Sequence, residues 1–140
     1  MSKQNNNQVV GNIGLYYVCY RLSQRGWNVM PTARNARGID ALIYSQDATR
    51  VKTIQVKALS RRSPVPLGSN LDNLFGDFIV VCQSVTTKKP ACYVLTPEEV
   101  RRLVHKGEKD GKTSFWLQPK HYEKTEFHEN WDRIGSGSNA

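Results

Sequence analysis

Two short apolar segments joined by a polar stretch constrain the fold of this chain more than any other feature. Residues 38–44 and 51–58 are rich in β-branched and apolar side chains, which favours β-strands. The polar stretch 45–50 between them has a suitable length and composition for a hairpin loop. The sequence therefore predicts two neighbouring antiparallel strands, and much of the remaining interpretation depends on their register.

A turn centred between Asp47 and Ala48 places Asp40 directly across from Gln55. Because strand side chains alternate between the two faces, Gln55 and Lys57 share a face, and three polar groups converge from two strands. The opposite face of the second strand is apolar and is predicted to face the core; it carries Ile54, Val56 and Ala58. A one-residue slip in register would separate the polar groups.

The converging groups suit a small divalent cation beside an ammonium group. Magnesium prefers oxygen ligands and needs only one or two carboxylates when water and substrate phosphate complete its shell. We expect the Asp40 carboxylate, the Gln55 side-chain oxygen and the Val56 main-chain carbonyl as ligands. Lys57 would orient the nucleophile or stabilise charge on a phosphate. A simpler alternative remains open, in which Asp40 and Lys57 pair on a solvated sheet face and Gln55 only fills space.

The charge of the chain indicates a polyanionic partner. It carries 20 Lys and Arg against 12 Asp and Glu, for a net charge of +8. Such a field attracts nucleic acid, and both DNA and RNA fit it. Four arginines are predicted phosphate contacts: Arg34 and Arg37 lead into the Asp40 strand, and Arg61 and Arg62 follow the Lys57 strand. The alternative for each pair is solvated loop arginines.

Further elements follow from periodicity and from turn residues. Residues 8–25 form a predicted helix that ends at Gly26 and faces the core with Val10, Ile13, Tyr17 and Leu22. Strands are predicted at 27–30, at 78–82, which suits a buried central strand, and at 91–95. Arg21 and Arg25, four residues apart, are expected together on the exposed side of the helix.

The second half of the chain is less regular. Thr96-Pro97-Glu98-Glu99 matches a capping box with proline at the first helical position, and the helix it opens is predicted to end at Gly107. Two prolines and a glycine predict an irregular loop over 59–71. Residues 108–134 are polar with scattered aromatic anchors, so we expect a short strand and irregular chain there.

Composition bounds the class of protein. A chain of 140 residues, 39% of them hydrophobic, suits one domain, which we place at residues 1–134. Residues 135–140 have the composition of a flexible tail or a scar of cloning. No segment is apolar enough for a membrane span or a signal peptide. Three cysteines in apolar runs predict buried free thiols in a reducing compartment, so we expect a cytoplasmic protein without a membrane partner.

The order of motifs resembles that of the PD-(D/E)XK nuclease superfamily. The resemblance covers about residues 8–105 and rests on Gly11-x-x-Gly14, a helical stretch ending at Gly26-Trp27, Gly38-Ile39-Asp40 and Gln55-Val56-Lys57. The glutamine in place of the usual acid is similar to the variant in Mrr-like restriction endonucleases and resolvase-like nucleases. The resemblance implies a single-domain α/β restriction-endonuclease-like core, with a mixed central β-sheet flanked by helices. It also implies that Asp40, Gln55 and Lys57 are catalytic, with Mg²⁺, or alternatively Mn²⁺, as cofactor.

One departure from the family pattern matters. Many members carry a glutamate on the first helix, whereas this chain has no acidic residue from Met1 to Ile39. We therefore expect either an Mg²⁺-dependent endonuclease of double-stranded or branched DNA, in the form of a possible homodimer, or a binding module of the same fold without catalysis. A third hypothesis is a structural or partner-binding protein whose basic charge is incidental.

Overall fold

The chain folds into an α/β structure with one larger and one smaller sheet. A computed structural model describes residues 3–33 and 38–138, with side chains from residue 6 onward. The elements in order are α1 (Lys3–Gln24), β1 (Asn28–Pro31), β2 (Ala41–Tyr44), β3 (Val51–Ala58), β4 (Val65–Gly68), β5 (Phe78–Gln83), β6 (Ala91–Leu95), α2 (Pro97–Leu103), β7 (His105–Lys109), β8 (Lys112–Leu117) and α3 (Pro119–Tyr122). A 3₁₀ turn follows at Trp131–Arg133.

The larger sheet has five strands in the order β1-β2-β3-β5-β6. β3 and β5 run parallel and every other neighbouring pair is antiparallel, so the sheet is mixed. The fold class predicted from the sequence, α/β with a mixed central sheet flanked by helices, is confirmed. The predicted strands at 27–30, 51–58, 78–82 and 91–95 are present within a residue or so of their expected bounds.

From Ala41 to Tyr44 the register of the β2–β3 hairpin agrees with the prediction. Asp40 lies before β2 and outside this ladder, and its N–H donates to the Ile54 carbonyl, so it is not the predicted register partner of Gln55. Ala41 faces Ile54 and Tyr44 faces Val51, which is the pairing that a turn between Asp47 and Ala48 produces. The Asp47 carboxylate organises this turn by accepting hydrogen bonds from the Ser45 hydroxyl, at 2.7 Å, and from the Thr49 hydroxyl and backbone N–H. The turn thus fixes which residues of the two strands meet.

Apolar layers cover both faces of the central sheet. β5 is buried along most of its length, with Val80 and Cys82 on one face and Ile79 and Val81 on the other. α1 packs on the first face, where Ile54, Val56 and Ala58 of β3 also lie, as predicted. α2 and the smaller sheet pack on the second face. A strand covered on both sides explains the continuous apolar run of β5.

One predicted contact of α1 is wrong. Ile13 is exposed, and with Val9, Tyr16 and Tyr20 it forms a stripe that faces away from the sheet. The buried stripe instead includes Gly14, whose missing side chain allows contact with Ala58, since a Cβ there would lie 2.4 Å from the Ala58 Cβ. Apolar residues recur on two stripes of this helix, so periodicity alone did not distinguish them.

Arg21 of α1 and Arg25, which directly follows the helix, hold the C-terminal segment and are not free on the surface. Arg21 pairs with Glu129 at 2.9 Å and donates to Tyr17. Arg25 pairs with Asp132. Both ion pairs join the end of the helix to a segment more than a hundred residues later, which spacing along one helix does not reveal.

The smaller sheet, in the order β4-β8-β7, corrects two predictions. α2 begins with the predicted capping box at Thr96 but ends at Leu103 and not at Gly107, because residues 105–109 form β7. The segment 59–71 is not wholly irregular, since it contains β4. β4 is an edge strand, where Pro66 costs the sheet no hydrogen bond if its ring nitrogen faces outward.

The C-terminal segment closes the structure. Residues 127–129 pair with the outer edge of β6 through bonds from Val94 N–H to the Phe127 carbonyl and from Glu129 N–H to the Cys92 carbonyl. Residues 135–138 are bound to the body, in contrast to the flexible tail expected from their composition: Gly137 N–H donates to the Arg25 carbonyl at 3.0 Å. No described helix has the length and apolar character needed to cross a bilayer.

Candidate functional site

The backbone of Asp40 is fixed where β2 begins. Its N–H donates to the Ile54 carbonyl at 2.9 Å, and its carbonyl accepts from Thr32 N–H at 2.9 Å. The Thr32 hydroxyl adds a bond to the Ile39 carbonyl at 2.8 Å. These bonds hold Asp40 between the preceding loop and β3, so its carboxylate has a defined direction.

That carboxylate lies beside the edge of β3. Asp40 Oδ2 accepts a hydrogen bond from Val56 N–H at 2.7 Å, at a level of β3 where β2 no longer runs alongside. In a strand the N–H and C=O of one residue point to the same edge, so the Val56 carbonyl also points toward the Asp40 side. Two of the three expected oxygen ligands therefore share one edge of β3.

Gln55 is held tightly by its amide nitrogen while its amide oxygen has no partner. The residue is 2% exposed, and its Nε2 donates to the Asn73 carbonyl at 2.8 Å. Its Oε1 is buried without a hydrogen-bond partner among the described residues. A buried unpaired carbonyl costs free energy, so such an atom in a folded protein calls for an explanation, and a bound cation is one.

Gly38 makes the position of the Gln55 amide possible. Its φ is +84°, in the left-handed region, and a Cβ there would lie 2.0 Å from Gln55 Nε2 and 2.8 Å from the Asn73 carbonyl oxygen. Glycine is needed at this position both for its backbone and for the space it leaves. Gly38, Asn73 and Gln55 thus form one packed unit.

Lys57 and Asp40 influence one another without forming a direct ion pair. Lys57 is on the same face as Gln55, and burial lowers its pKa, an effect that the negative charge of Asp40 opposes. Burial raises the pKa of Asp40, opposed by the Val56 N–H bond and by Lys57. The ion pairs of the described residues involve neither side chain. The two charges therefore attract one another without a direct ion pair.

The oxygen atoms of this site are of a kind that suits a hard cation, although together they carry little negative charge. Among the described residues, no group of three or more His, Cys, Asp and Glu side chains could hold a metal ion. One carboxylate, one amide oxygen and one main-chain carbonyl are nevertheless oxygen ligands of the kind Mg²⁺ accepts when water and phosphate supply the rest. By residue type, the ligands predicted from the sequence are ones that this ion accepts.

The predicted phosphate contacts have different environments. Arg34 and Arg37 lie outside the described residues. Arg61 is exposed. Arg62 is engaged with Glu123, to which its Nε donates at 2.8 Å and 3.0 Å, so contact with a phosphate would require exchange of that carboxylate.

Sequence reasoning missed the residues that position the site. Thr32 fixes the Asp40 backbone, and the Asn73 carbonyl fixes the Gln55 amide. The glycine two residues before Asp40 was a usable signal, because glycine beside an apolar strand often marks a close approach. Nothing in the sequence around residue 73 points to its partner, since the contact spans 18 residues of loop and strand.

Comparisons with protein families, curated proteins and solved structures find no match to this chain. The function is therefore inferred from the geometry of the site itself.

Proposed function

We propose that this protein is an Mg²⁺-dependent endonuclease that hydrolyses phosphodiester bonds in double-stranded or branched DNA, with Mn²⁺ as an alternative ion. One observation carries the proposal: Gln55, whose Oε1 is buried and without a partner among the described residues, directly precedes Val56, which binds the Asp40 carboxylate, and Lys57. An amide oxygen without a hydrogen-bond donor is suited to a cation.

Each residue has a distinct role in this proposal. Asp40, Gln55 and the Val56 carbonyl hold the ion, which when bound acidifies a water and shields phosphate charge. Lys57, with its pKa lowered by burial, orients the attacking water or stabilises the charge that develops on the phosphate. The exposed Arg61 contacts the DNA backbone, which sets affinity but not sequence preference.

The second candidate is a DNA-binding module of the same fold without catalysis. It is favoured by the single carboxylate of the site, since no acidic residue of α1 is available to complete it. Such a module would retain salt-sensitive DNA binding because phosphate contacts release counterions. For either candidate we propose a cytoplasmic location, which agrees with three buried free thiols, and a possible homodimer.

The test is cleavage of supercoiled plasmid and of a branched junction with Mg²⁺, Mn²⁺ or EDTA. Asp40→Ala and Lys57→Ala are compared with the parent, and Asp72→Ala and Lys88→Ala, on exposed loops, serve as matched controls. We expect metal-dependent nicking that both site variants lose and both controls keep. Removal of Asp40 should leave DNA binding intact or tighter, because a repulsive carboxylate is gone.

Two outcomes would redirect the proposal. If Asp40→Ala cleaves as well as the parent, the metal assignment is wrong. If the parent cleaves nothing but shifts DNA in a gel, with binding that weakens steeply as salt rises, the binding module is the correct function.

A further inference from the structure

The smaller sheet has one buried and one open face. Val65 of β4 and Leu117 of β8 are register partners, each 1% exposed, and they pack into the core. Since side chains alternate along a strand, Trp116 points to the opposite face, where it is 37% exposed. A large aromatic side chain therefore lies on the outer surface of the middle strand.

Trp116 is flanked by flat side chains on both neighbouring strands. Its register partners are Pro66 on β4 and His105 on β7, and both are exposed. Directly opposite residues share a face with their Cβ atoms about 4.5–5.5 Å apart. The three rings thus form a row across the sheet.

A hydrogen bond restrains the partly exposed indole ring of Trp116. Trp116 Nε1 donates to the Ser114 hydroxyl at 3.0 Å, which ties the ring back over a residue on the same face. Gly107 lies opposite Ser114, so no side chain rises beside that position. Trp27 and Trp131, by contrast, are buried with an arginine guanidinium over each ring.

Two lysines face one another farther along the same surface. Lys109 and Lys112 are register partners beside the Asp110-Gly111 turn, and like charges directly opposite repel. Glu108 directly precedes Lys109 on β7, so its side chain lies on the other face of the sheet, where it pairs with Lys106 at 3.4 Å. The outer face therefore presents paired positive charges without a carboxylate on its strands, and a bound anion would relieve the repulsion.

We propose that the outer face of the β4–β8–β7 sheet binds single-stranded nucleic acid, with an unpaired base stacked on Trp116 and the backbone phosphates at Lys109 and Lys112. We name this surface, made of Pro66, His105, Trp116, Lys109 and Lys112, the Trp116 platform. A ring on a basic sheet surface is the combination that binds unpaired nucleotides with little sequence preference.

The geometry favours a single strand over a duplex. A base offers its face to an aromatic ring only when it is unpaired or displaced from its neighbours, because stacking within a duplex covers that face. Lys112 is four residues from Trp116 along β8, about 13 Å at the usual rise of a strand. The lysines therefore contact phosphates of nucleotides next to the stacked one.

Binding to the Trp116 platform requires neither the Asp40 site nor cleavage, so it can be measured by itself. Trp116 is the exposed tryptophan among three, so acrylamide-accessible emission reports on this surface. We would titrate the full chain, in EDTA, with a 15-nucleotide oligothymidylate and with a duplex of equal length. The expected result is quenching of the accessible emission by the single strand, with weaker binding of the duplex.

Variants separate stacking from charge. Trp116→Ala should weaken oligothymidylate binding about 5- to 150-fold, as measured by anisotropy of a labelled strand, whereas Trp116→Phe should largely retain it. Tyr20→Ala, at an exposed aromatic on α1, should leave binding unchanged. Lys112→Gln should reduce the slope of log affinity against log salt by about 0.7, and Lys88→Gln should not.

The proposal is overturned if Trp116→Ala, shown to be folded by circular dichroism, binds the oligonucleotide like the parent. It is also overturned if the oligonucleotide leaves the accessible emission unquenched, or if a duplex binds as tightly and with equal dependence on Trp116. These titrations are made in EDTA and follow binding alone, so failure of the nuclease proposal would leave their results unchanged.

Discussion

Gly38→Ala should lower the free energy of unfolding by more than a typical replacement of glycine by alanine does. The added Cβ would lie 2.0 Å from Gln55 Nε2, so the Gln55 amide has to leave the Asn73 carbonyl. The left-handed backbone costs an alanine about 1–2 kcal/mol. Loss of the buried hydrogen bond adds about 1–2 kcal/mol. We therefore expect the free energy of unfolding to fall by about 2–4 kcal/mol.

The matched control is Gly68→Ala. Gly68 has a φ of +82°, close to the +84° of Gly38, but a Cβ there would have nothing within 4 Å. Its cost should therefore be the backbone part alone, about 1–2 kcal/mol. The difference between the two variants isolates the collision with Gln55 and Asn73.

Urea unfolding followed by circular dichroism measures both changes, and a double-mutant cycle with Gln55→Ala tests the cause. If the collision with Gln55 matters, Gly38→Ala should cost less in the Gln55→Ala background than alone. Equal costs for Gly38→Ala and Gly68→Ala, or additive effects in the cycle, would refute the packed unit that positions Gln55.

Three further results are expected. Asp40→Asn should lower the pKa of Lys57 further below the usual range, because the negative charge that opposes the effect of burial is removed; an NMR titration of Lys57 Hε and Cε measures this, and an unchanged midpoint would contradict the coupling. Thr96→Ala should lower the free energy of unfolding by about 1 kcal/mol through loss of the α2 cap, measured by urea unfolding; a cost near zero would show that the cap contributes nothing. Hydrogen bonds from Ser45 and Thr49 lower the pKa of Asp47 to about 2. The stabilisation of the folded state by the ionised Asp47 should therefore be complete at pH values above the usual pKa of an aspartate, and it should be lost as pH falls through about 2. An NMR titration of Asp47 with an ordinary midpoint would contradict that turn structure.

The β2–β3 hairpin was predictable because its determinants are local. A polar stretch, a turn residue and two β-branched segments fix both the strands and their register, and with the register the shared face of Gln55 and Lys57. The burial of β5 and the cap of α2 followed in the same way from neighbouring residues. Each of these features is decided within about twenty residues of chain.

The smaller sheet was missed although it had a local signal. Asp110-Gly111, with φ values of +53° and +74°, is one of the dipeptides favoured in two-residue hairpin turns, and it separates β7 from β8. Gly107 also has the character of a helix stop after the α2 cap, and this competing pattern obscures the hairpin signal. The pairing of β4 with β8 joins residues about fifty apart, and no local rule predicts it.

The contacts that complete the site depend on tertiary packing. The Asn73 carbonyl reaches Gln55 from a loop that follows β4, and Glu129 reaches Arg21 from the far end of the chain. Residue types point to Asp40 and Gln55 as candidate ligands, whereas some of the groups that hold these side chains in place come from distant segments. The arginines show the same limit, because Arg62 is already paired with Glu123.

Binding of a divalent cation by Asp40, Gln55 and Val56 is the claim on which the function depends, and paramagnetic broadening by Mn²⁺ tests it most directly. In nitrogen–proton spectra of the full chain, low concentrations of Mn²⁺ should broaden the Gln55 side-chain NH₂ and Val56 amide signals first. Asp40→Asn should remove this selectivity, and excess Mg²⁺ should reverse the broadening. Broadening confined to exposed carboxylates such as Asp72, with the Gln55 signals unaffected, would contradict the metal site.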